Sequence, residues 1–210
     1  MIKVKNLSKK FEDKIIFKDL NITFETGDCI AIIGKSGCGK TTLLNMLGLI
    51  DTIYEGNIEC DGVSFRSLKN NAKQKFIRNN INYLFQNYAL IDDTTVYKNL
   101  EFALYYEKIS KKKKHNKIME ALHSVGLEDY GEKKIYTLSG GEQQRIALAR
   151  AMIKKGNIIL ADEPTGNLDE ENREIVLQNL LELNKQGKTV IIVTHDPYVA
   201  SKCNSIVKLK

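Results

Sequence analysis

Cys29-Ile30-Ala31-Ile32-Ile33-Gly34-Lys35-Ser36-Gly37-Cys38-Gly39-Lys40-Thr41-Thr42 is an apolar run that breaks into a glycine-rich loop. Five unbroken apolar residues fit a central parallel strand buried on both faces. Residues 34–41 follow the pattern G-x-x-x-x-G-K-[ST], and a helical pattern continues through residues 41–49. Strand, loop and helix in that order give the pattern a mechanism. The glycines let backbone N–H groups curl inward around an anion, and the helix starting near Lys40 adds the positive end of its dipole. Lys40 is expected to reach the β- and γ-phosphates of a nucleotide, and the Thr41 hydroxyl to ligate Mg²⁺. Gly34, Lys35, Ser36, Gly37, Cys38, Gly39 and Thr42 complete the expected cradle. A dinucleotide fingerprint does not fit, because Thr42 stands where its third glycine belongs.

Outward from this segment, apolar runs recur at residues 158–161 and 190–193, as further buried strands would. Ile2 with Val4, Ile22 with Phe24, and Ile58 with Cys60 alternate as strands with one buried face do. Ile118, Ala121, Leu122 and Val125 share one helical face, and Val176, Leu177, Leu180 and Leu181 share another that Gly187 can end. Residues from about 87 to 155 carry helical signals without a clear buried strand. The pattern predicts an α/β core over about 1–86 and 156–210, with an antiparallel β portion and a helical subdomain inserted over about 87–155.

The chain has 210 residues, 42% of them apolar and 28% charged, so it holds one globular domain and not two large ones. No apolar run approaches the roughly 20 residues of a membrane helix, and the start lacks the marks of a signal peptide. A cytoplasmic placement is expected. The net charge of +6 is dispersed, apart from Lys111-Lys112-Lys113-Lys114, which reads as a solvated loop or helix start, with a contact to lipid headgroups as the alternative. No nucleic-acid partner is expected from it. Cys29, Cys38, Cys60 and Cys203 show no metal or CxxC spacing and read as reduced thiols.

Two more constellations carry chemistry. Ile158-Ile159-Leu160-Ala161-Asp162-Glu163-Pro164 is a strand that ends in paired carboxylates. At a turning strand end both can serve one site, Asp162 holding Mg²⁺ through water and Glu163 acting as general base on an attacking water. Leu138-Ser139-Gly140-Gly141-Glu142-Gln143 reads as a capping box opening a helix, with a glycine-flanked serine at a second anion-binding helix end. One nucleotide cannot be gripped by two such elements of its own chain if they lie on different lobes. Ser139, Gly140 and Gly141 are therefore expected to close over a neighbour's nucleotide.

On these motifs the chain resembles the ABC ATPase family over nearly its whole length, within the MacB/LolD/FtsE group. The resemblance implies a P-loop NTPase core, a mostly parallel sheet with helices on both faces, and ATP and Mg²⁺ as ligands. It implies that Gln86 is a Mg²⁺ and water contact, that Asn167-Leu168-Asp169 crosses a dimer interface with Asp169 near nucleotide, and that His195 senses the γ-phosphate. Phe11 stands where the family has an aromatic on adenine. The implied partners are a second copy, head to tail, and an integral membrane permease, with the chain peripheral at the inner face of the cell membrane. Phe85-Gln86-Asn87-Tyr88-Ala89-Leu90-Ile91-Asp92 resembles ATPases that export bacteriocins or antimicrobial peptides. The chain departs from the group at residues 51–56, which lack Pro-Ser before Gly56, and in having no Leu-Pro after Leu90. An alternative is a mechanotransmission ATPase that drives a membrane partner without moving a substrate. A P-loop kinase would have no use for residues 138–143.

Overall fold

The computed structural model describes residues 1–12, 14–166 and 168–209. From the amino end come β1 (Ile2–Phe11), β2 (Lys14–Phe24), β3 (Cys29–Ile33), α1 (Lys40–Leu47), β4 (Glu55–Cys60), β5 (Val63–Ser64), α2 (Asn70–Asn80) and β6 (Ile81–Leu84). After them come α3 (Val96–Ala103), α4 (Lys111–Ser124), α5 (Gly140–Ile153), β7 (Ile158–Asp162), α6 (Glu170–Lys185), β8 (Thr189–Val193), α7 (Pro197–Ser201) and β9 (Ser205–Lys208).

The continuous apolar runs pair as a five-stranded parallel sheet in the order β6-β7-β8-β3-β9. Every residue of β7 and β8 is buried, as strands covered on both faces must be. Successive residues alternate between two cores. Cys29, Ile159, Ala161, Val190 and Ile192 face a cluster built with the helices, while Ile30, Ile32, Ile158, Leu160, Ile191 and Val193 face α1 and the second sheet. That second sheet is antiparallel, in the order β2-β1-β4-β5. In it Ile2 lies between Phe24 and Cys60, and Val4 between Ile22 and Ile58, so the alternating pairs of the sequence meet on neighbouring strands.

Between β6 and β7 the chain is helical. α5 packs against α3, α4 and α6. Ile118, Leu122, Ile146 and Leu148 join Leu84 and Ile159 in one apolar cluster. Burying one such side chain stabilises by about 1.5–3 kcal/mol, so α5 is firmly seated and its amino end has a fixed position. α4 opens with the lysine run, exposed at Lys111, Lys112 and Lys113, and Ser110 caps it by accepting from Lys113 N.

Three local features differ from the periodicity. α1 ends at Leu47, because Leu49 turns left-handed at φ 58°. On α6 the fourth inward residue is Leu183, with Leu181 only partly buried. α2 has no fully buried residue; Phe76 and Ile77 pack against the core partly buried, too short an apolar stripe to announce the helix in the sequence.

Candidate active site

The phosphate-loop segment leaves β3 at the carboxyl edge of the parallel sheet, where β7 and β8 also end. Gly39 adopts φ 95°, and a Cβ there would lie 2.4 Å from Ile16 Cγ2 and 2.7 Å from the Phe17 ring. Only glycine lets the loop sit this close to β2. Lys40 begins α1 and turns back into the loop, its Nζ donating to Gly34 O at 2.9 Å and Lys35 O at 3.2 Å. Lys35, Ser36 and Gly37 are exposed, whereas Gly34, Cys38 and Thr42 are half-buried. Cys38 N donates to Lys35 O at 3.3 Å, which closes the turn of the loop.

Thr41 and Asp162 meet although 121 residues separate them: the Thr41 hydroxyl donates to Asp162 Oδ1 at 3.0 Å. Asp162 is 4% exposed. Burial raises its carboxyl above the ordinary value, the Thr41 hydrogen bond opposes this, and Glu163 beside it adds to the rise. A buried carboxylate with a hydroxyl beside it favours a cation. Among the described residues no group of three or more His, Cys, Asp or Glu side chains could hold a metal by itself. A hydroxyl plus one carboxylate, completed by water and phosphate oxygens, is the oxygen donor set that suits Mg²⁺.

Glu163 sits at φ 47°, a left-handed value uncommon outside glycine. This turn at the end of β7 is what brings its carboxylate round to His195, which follows β8. His195 Nδ1 lies 2.9 Å from Glu163 Oε2, and His195 N donates to the same oxygen at 3.4 Å. An ionised carboxylate only accepts, so Nδ1 carries the proton. Glu163 N donates to Val193 O at 2.9 Å, which ties the turn to β8. The His195 side chain is 73% exposed and the Glu163 side chain 15%, so the pair lies at the mouth of the site with the acid inside.

The second glycine motif forms the amino end of α5. Ser139 accepts from Glu142 N at 3.3 Å while Glu142 Oε2 accepts from Ser139 N at 2.7 Å, a complete capping box. Both Ser139 and Gly140 are exposed. Among the described residues no hydrogen bond joins residues 139–141 to residues 34–42. Asp169 caps α6, accepting from Asn172 N at 2.8 Å and Asn172 Nδ2 at 2.7 Å, and these bonds hold its carboxyl below the ordinary value. Asn167 lies outside the described residues. Gln86 is exposed in the turn after β6, and no hydrogen bond among the described residues joins it to Thr41 or Asp162.

Three positioning residues escaped the sequence reading. Lys9, 7% exposed, bonds to Asp51 at 2.7 Å and to Ile53 O at 2.6 Å, with its ammonium 4.5 Å from the centroid of the 49%-exposed Phe11 ring. On α5, Gln144 donates to Pro164 O at 2.7 Å, next to Glu163. Arg150 on the same helix donates to Tyr88 O at 2.8 Å in the Gln86 turn. One helix thus touches both the carboxylate turn and the Gln86 turn. Nothing in local periodicity marks these residues, because each acts on a segment distant in sequence.

Cys38 supplies a direct probe of the loop. Saturating ATP is expected to slow its alkylation by a thiol reagent at least about tenfold, as a bound phosphate chain shields the loop. Unchanged labelling would show that Cys38 lies away from the nucleotide.

The ABC transporter family model matches residues 17–166. The chain is 38% identical over 214 residues to YvrO, an uncharacterized ABC transporter ATP-binding protein of Bacillus subtilis (strain 168), covering 100% of this chain and 93% of that protein. It is 36% identical over 214 residues to the macrolide export ATP-binding/permease protein MacB of Aggregatibacter actinomycetemcomitans, covering 100% of this chain but 33% of that protein. The chain therefore spans about a third of the length of the MacB relatives. The structure of a dimeric bacterial ABC transporter cassette, MJ0796, matches with TM-score 0.91 at 38% identity, covering 100% of this chain and 94% of that one. A second MJ0796 structure, in a post-hydrolysis state bound to ADP and Pi, matches with TM-score 0.91 at 37% identity.

Proposed function

The chain belongs to the ABC transporter family as an ABC-type ATPase, and we propose that two copies close head to tail around ATP and Mg²⁺ to drive a membrane permease. The observation that carries this reading is the spatial division of the motifs: Lys40, Thr41, Asp162, Glu163 and His195 gather at the sheet edge, while Ser139 stands capped and exposed on α5 without a bond to them.

In this reading the 34–42 loop and Lys40 bind the phosphates, and Phe11, backed by Lys9, stacks on adenine. Thr41 and Asp162, with Gln86 through water, would hold Mg²⁺, which neutralises charge on the β- and γ-phosphates. Glu163 takes a proton from the attacking water while His195 fixes the carboxylate through the 2.9 Å contact. Water attacks the γ-phosphorus and ADP leaves, giving inorganic phosphate. The partner copy's α5 end donates its Ser139 hydroxyl and the Gly140 and Gly141 amides to γ-phosphate oxygens, and Asp169 lies across the same interface. Because α5 bonds to both Pro164 and Tyr88, closing over a nucleotide is felt at both turns. We take residues 87–155 to move as the lobe that transmits it.

The permease would sit near the Gln86 turn, where Ile50, Ile77, Phe85, Phe102 and Arg150 line a groove. A permease partner is supported by the MacB relatives, named as ATP-binding/permease proteins, and YvrO is named as an ATP-binding protein. The cargo in this reading is an exported peptide, bacteriocin or other antimicrobial, and the chain works peripherally at the inner face of the cell membrane. The MacB relatives, named as macrolide exporters, support export of an antimicrobial over import of a nutrient. The discriminating experiment follows γ-labelled ATP: release as free phosphate is expected, and transfer to an acceptor molecule would make this a kinase instead.

A further inference from the structure

Two of the four cysteines, 174 residues apart in sequence, touch: Cys29 Sγ donates to Cys203 Sγ at 3.3 Å. Cys29 opens β3, the strand that runs into the phosphate loop, and Cys203 follows α7, the helix that begins just after His195. The backbone beside them is pinned independently of the thiols. Cys29 N donates to Asn204 Oδ1 at 2.8 Å, and Asn204 N donates to Cys29 O at 2.8 Å. Two hydrogen bonds one residue from the sulfur pair therefore hold the chain segments at a fixed spacing. The parallel pairing of β3 with β9 continues that fixed contact from Ile30 and Ser205 onward.

We propose that Cys29 and Cys203 form an oxidisable dithiol that a two-electron oxidant of the peroxide class closes into a disulfide. The order of events follows from burial and hydrogen bonding. Cys29 is 1% exposed, so oxidant cannot reach it first. Cys203 is half-buried, its Sγ donating to Val199 O at 3.6 Å, and it is the more accessible of the two. The bond from Cys29 also favours the Cys203 thiolate over its thiol, whereas Cys29, acting as the donor and buried, is held well above the ordinary thiol value. Attack of the Cys203 thiolate on hydrogen peroxide breaks the O–O bond and gives a Cys203 sulfenic acid and hydroxide, which takes up the proton Cys203 lost. The Cys29 sulfur, losing its proton, then attacks the Cys203 sulfur. The S–OH bond breaks, the S–S bond forms, and the hydroxide leaves as water with that proton. Peroxide is reduced to two waters, and each sulfur is oxidised by one electron.

The other two thiols lack this arrangement. Cys60 is buried, and burial pushes it up to about 11, away from reaction at neutral pH. Cys38 lies in the phosphate loop with no second thiol in hydrogen-bond contact. The disulfide would tie the strand entering the phosphate loop to the segment behind His195, closing a covalent loop through most of the chain. Such a link restricts the unfolded state and raises thermal stability.

Trypsin separates the relevant thiols, since Lys35 lies between Cys29 and Cys38 and Lys202 precedes Cys203. The nucleotide-free protein is treated with a small excess of hydrogen peroxide, blocked with iodoacetamide and digested without reductant. Peptide 19–35 joined to peptide 203–208 is expected, absent after dithiothreitol. The oxidised protein should melt several degrees higher than the reduced one. In the Cys203→Ser variant, changed at a partly exposed position, the link and the thermal shift should both vanish. In Cys29→Ser, a sulfenic-acid probe should mark Cys203; should that variant not fold, the wild-type peptide map still decides. Peptides 19–35 and 203–208 recovered separately and fully alkylated, or a link that uses Cys38 or Cys60, would overturn the proposal.

Discussion

Glu163→Gln is expected to lower ATP turnover by about 10²–10⁴-fold, the usual contribution of a general base, while ATP stays bound between two copies. The amide keeps the size and shape of the carboxylate and can still accept a hydrogen bond from His195 through its oxygen. What it loses is proton affinity, so attacking water is no longer activated. The side chain is 15% exposed and, among the described residues, its carboxylate bonds only to His195, so the fold should be little disturbed. Phosphate release checks the first half, and light scattering in the presence of Mg²⁺ and ATP checks the second. The expected result is an ATP-dependent species of doubled mass that persists because the bond-breaking step is blocked. Turnover within a few-fold of the unaltered protein would remove Glu163 from its role.

Ser139→Arg is expected to cut turnover by about a hundredfold or more, the scale of losing one donor to a developing charge. A single protomer should nevertheless bind ATP within about threefold of the unaltered chain, because Ser139 makes no bond to the 34–42 loop. The substitution breaks the capping box, which costs about 1 kcal/mol. Ile146, Leu148 and Ala149, fully buried on the same helix, hold α5 in place against that loss. The bulky cation also fills the space through which the helix end would approach a neighbour's γ-phosphate. Nucleotide titration of the dilute monomer beside steady-state hydrolysis separates the two effects. Equal losses in both would mean that Ser139 serves its own chain's nucleotide.

Much of the fold was legible because local chemistry dictates it. Unbroken apolar runs at Cys29–Ile33 and at residues 158–161, short and next to a glycine loop or a Pro turn, fit strands covered on both faces, and both became central strands. Ser139 three residues before Glu142 is a capping box in any context, and it formed one. Strand order was not legible, since β3 pairs with both β8 and β9 and neither neighbour is close in sequence. The exposed edge strand β9 and the helix α2, which packs only Phe76 and Ile77 partly buried against the core, lack the extended apolar periodicity that would reveal them. The same holds within the site. Lys40, Thr41 and Asp162 were readable because a motif or a strand end names them. Gln144 and Arg150 were not, because their partners are backbone carbonyls of segments brought close only by folding. The touching of Cys29 and Cys203 belongs to that second kind: spacing in the chain suggested four separate thiols, and the pairing of β3 with the chain end brought two together.

The proposed cycle requires a nucleotide shared between two copies, and mixing inactive variants tests this most directly. Lys40→Ala disables the phosphate loop and Ser139→Arg disables the closing helix, so each protein alone should hydrolyse ATP at background rate. A mixed dimer contains one site built from the intact loop of one copy and the intact helix end of the other. With random pairing, an equal mixture should regain up to roughly a quarter of the unaltered rate. A mixture that stays at the level of its separate components, with mixed dimers demonstrably formed, would contradict the shared site.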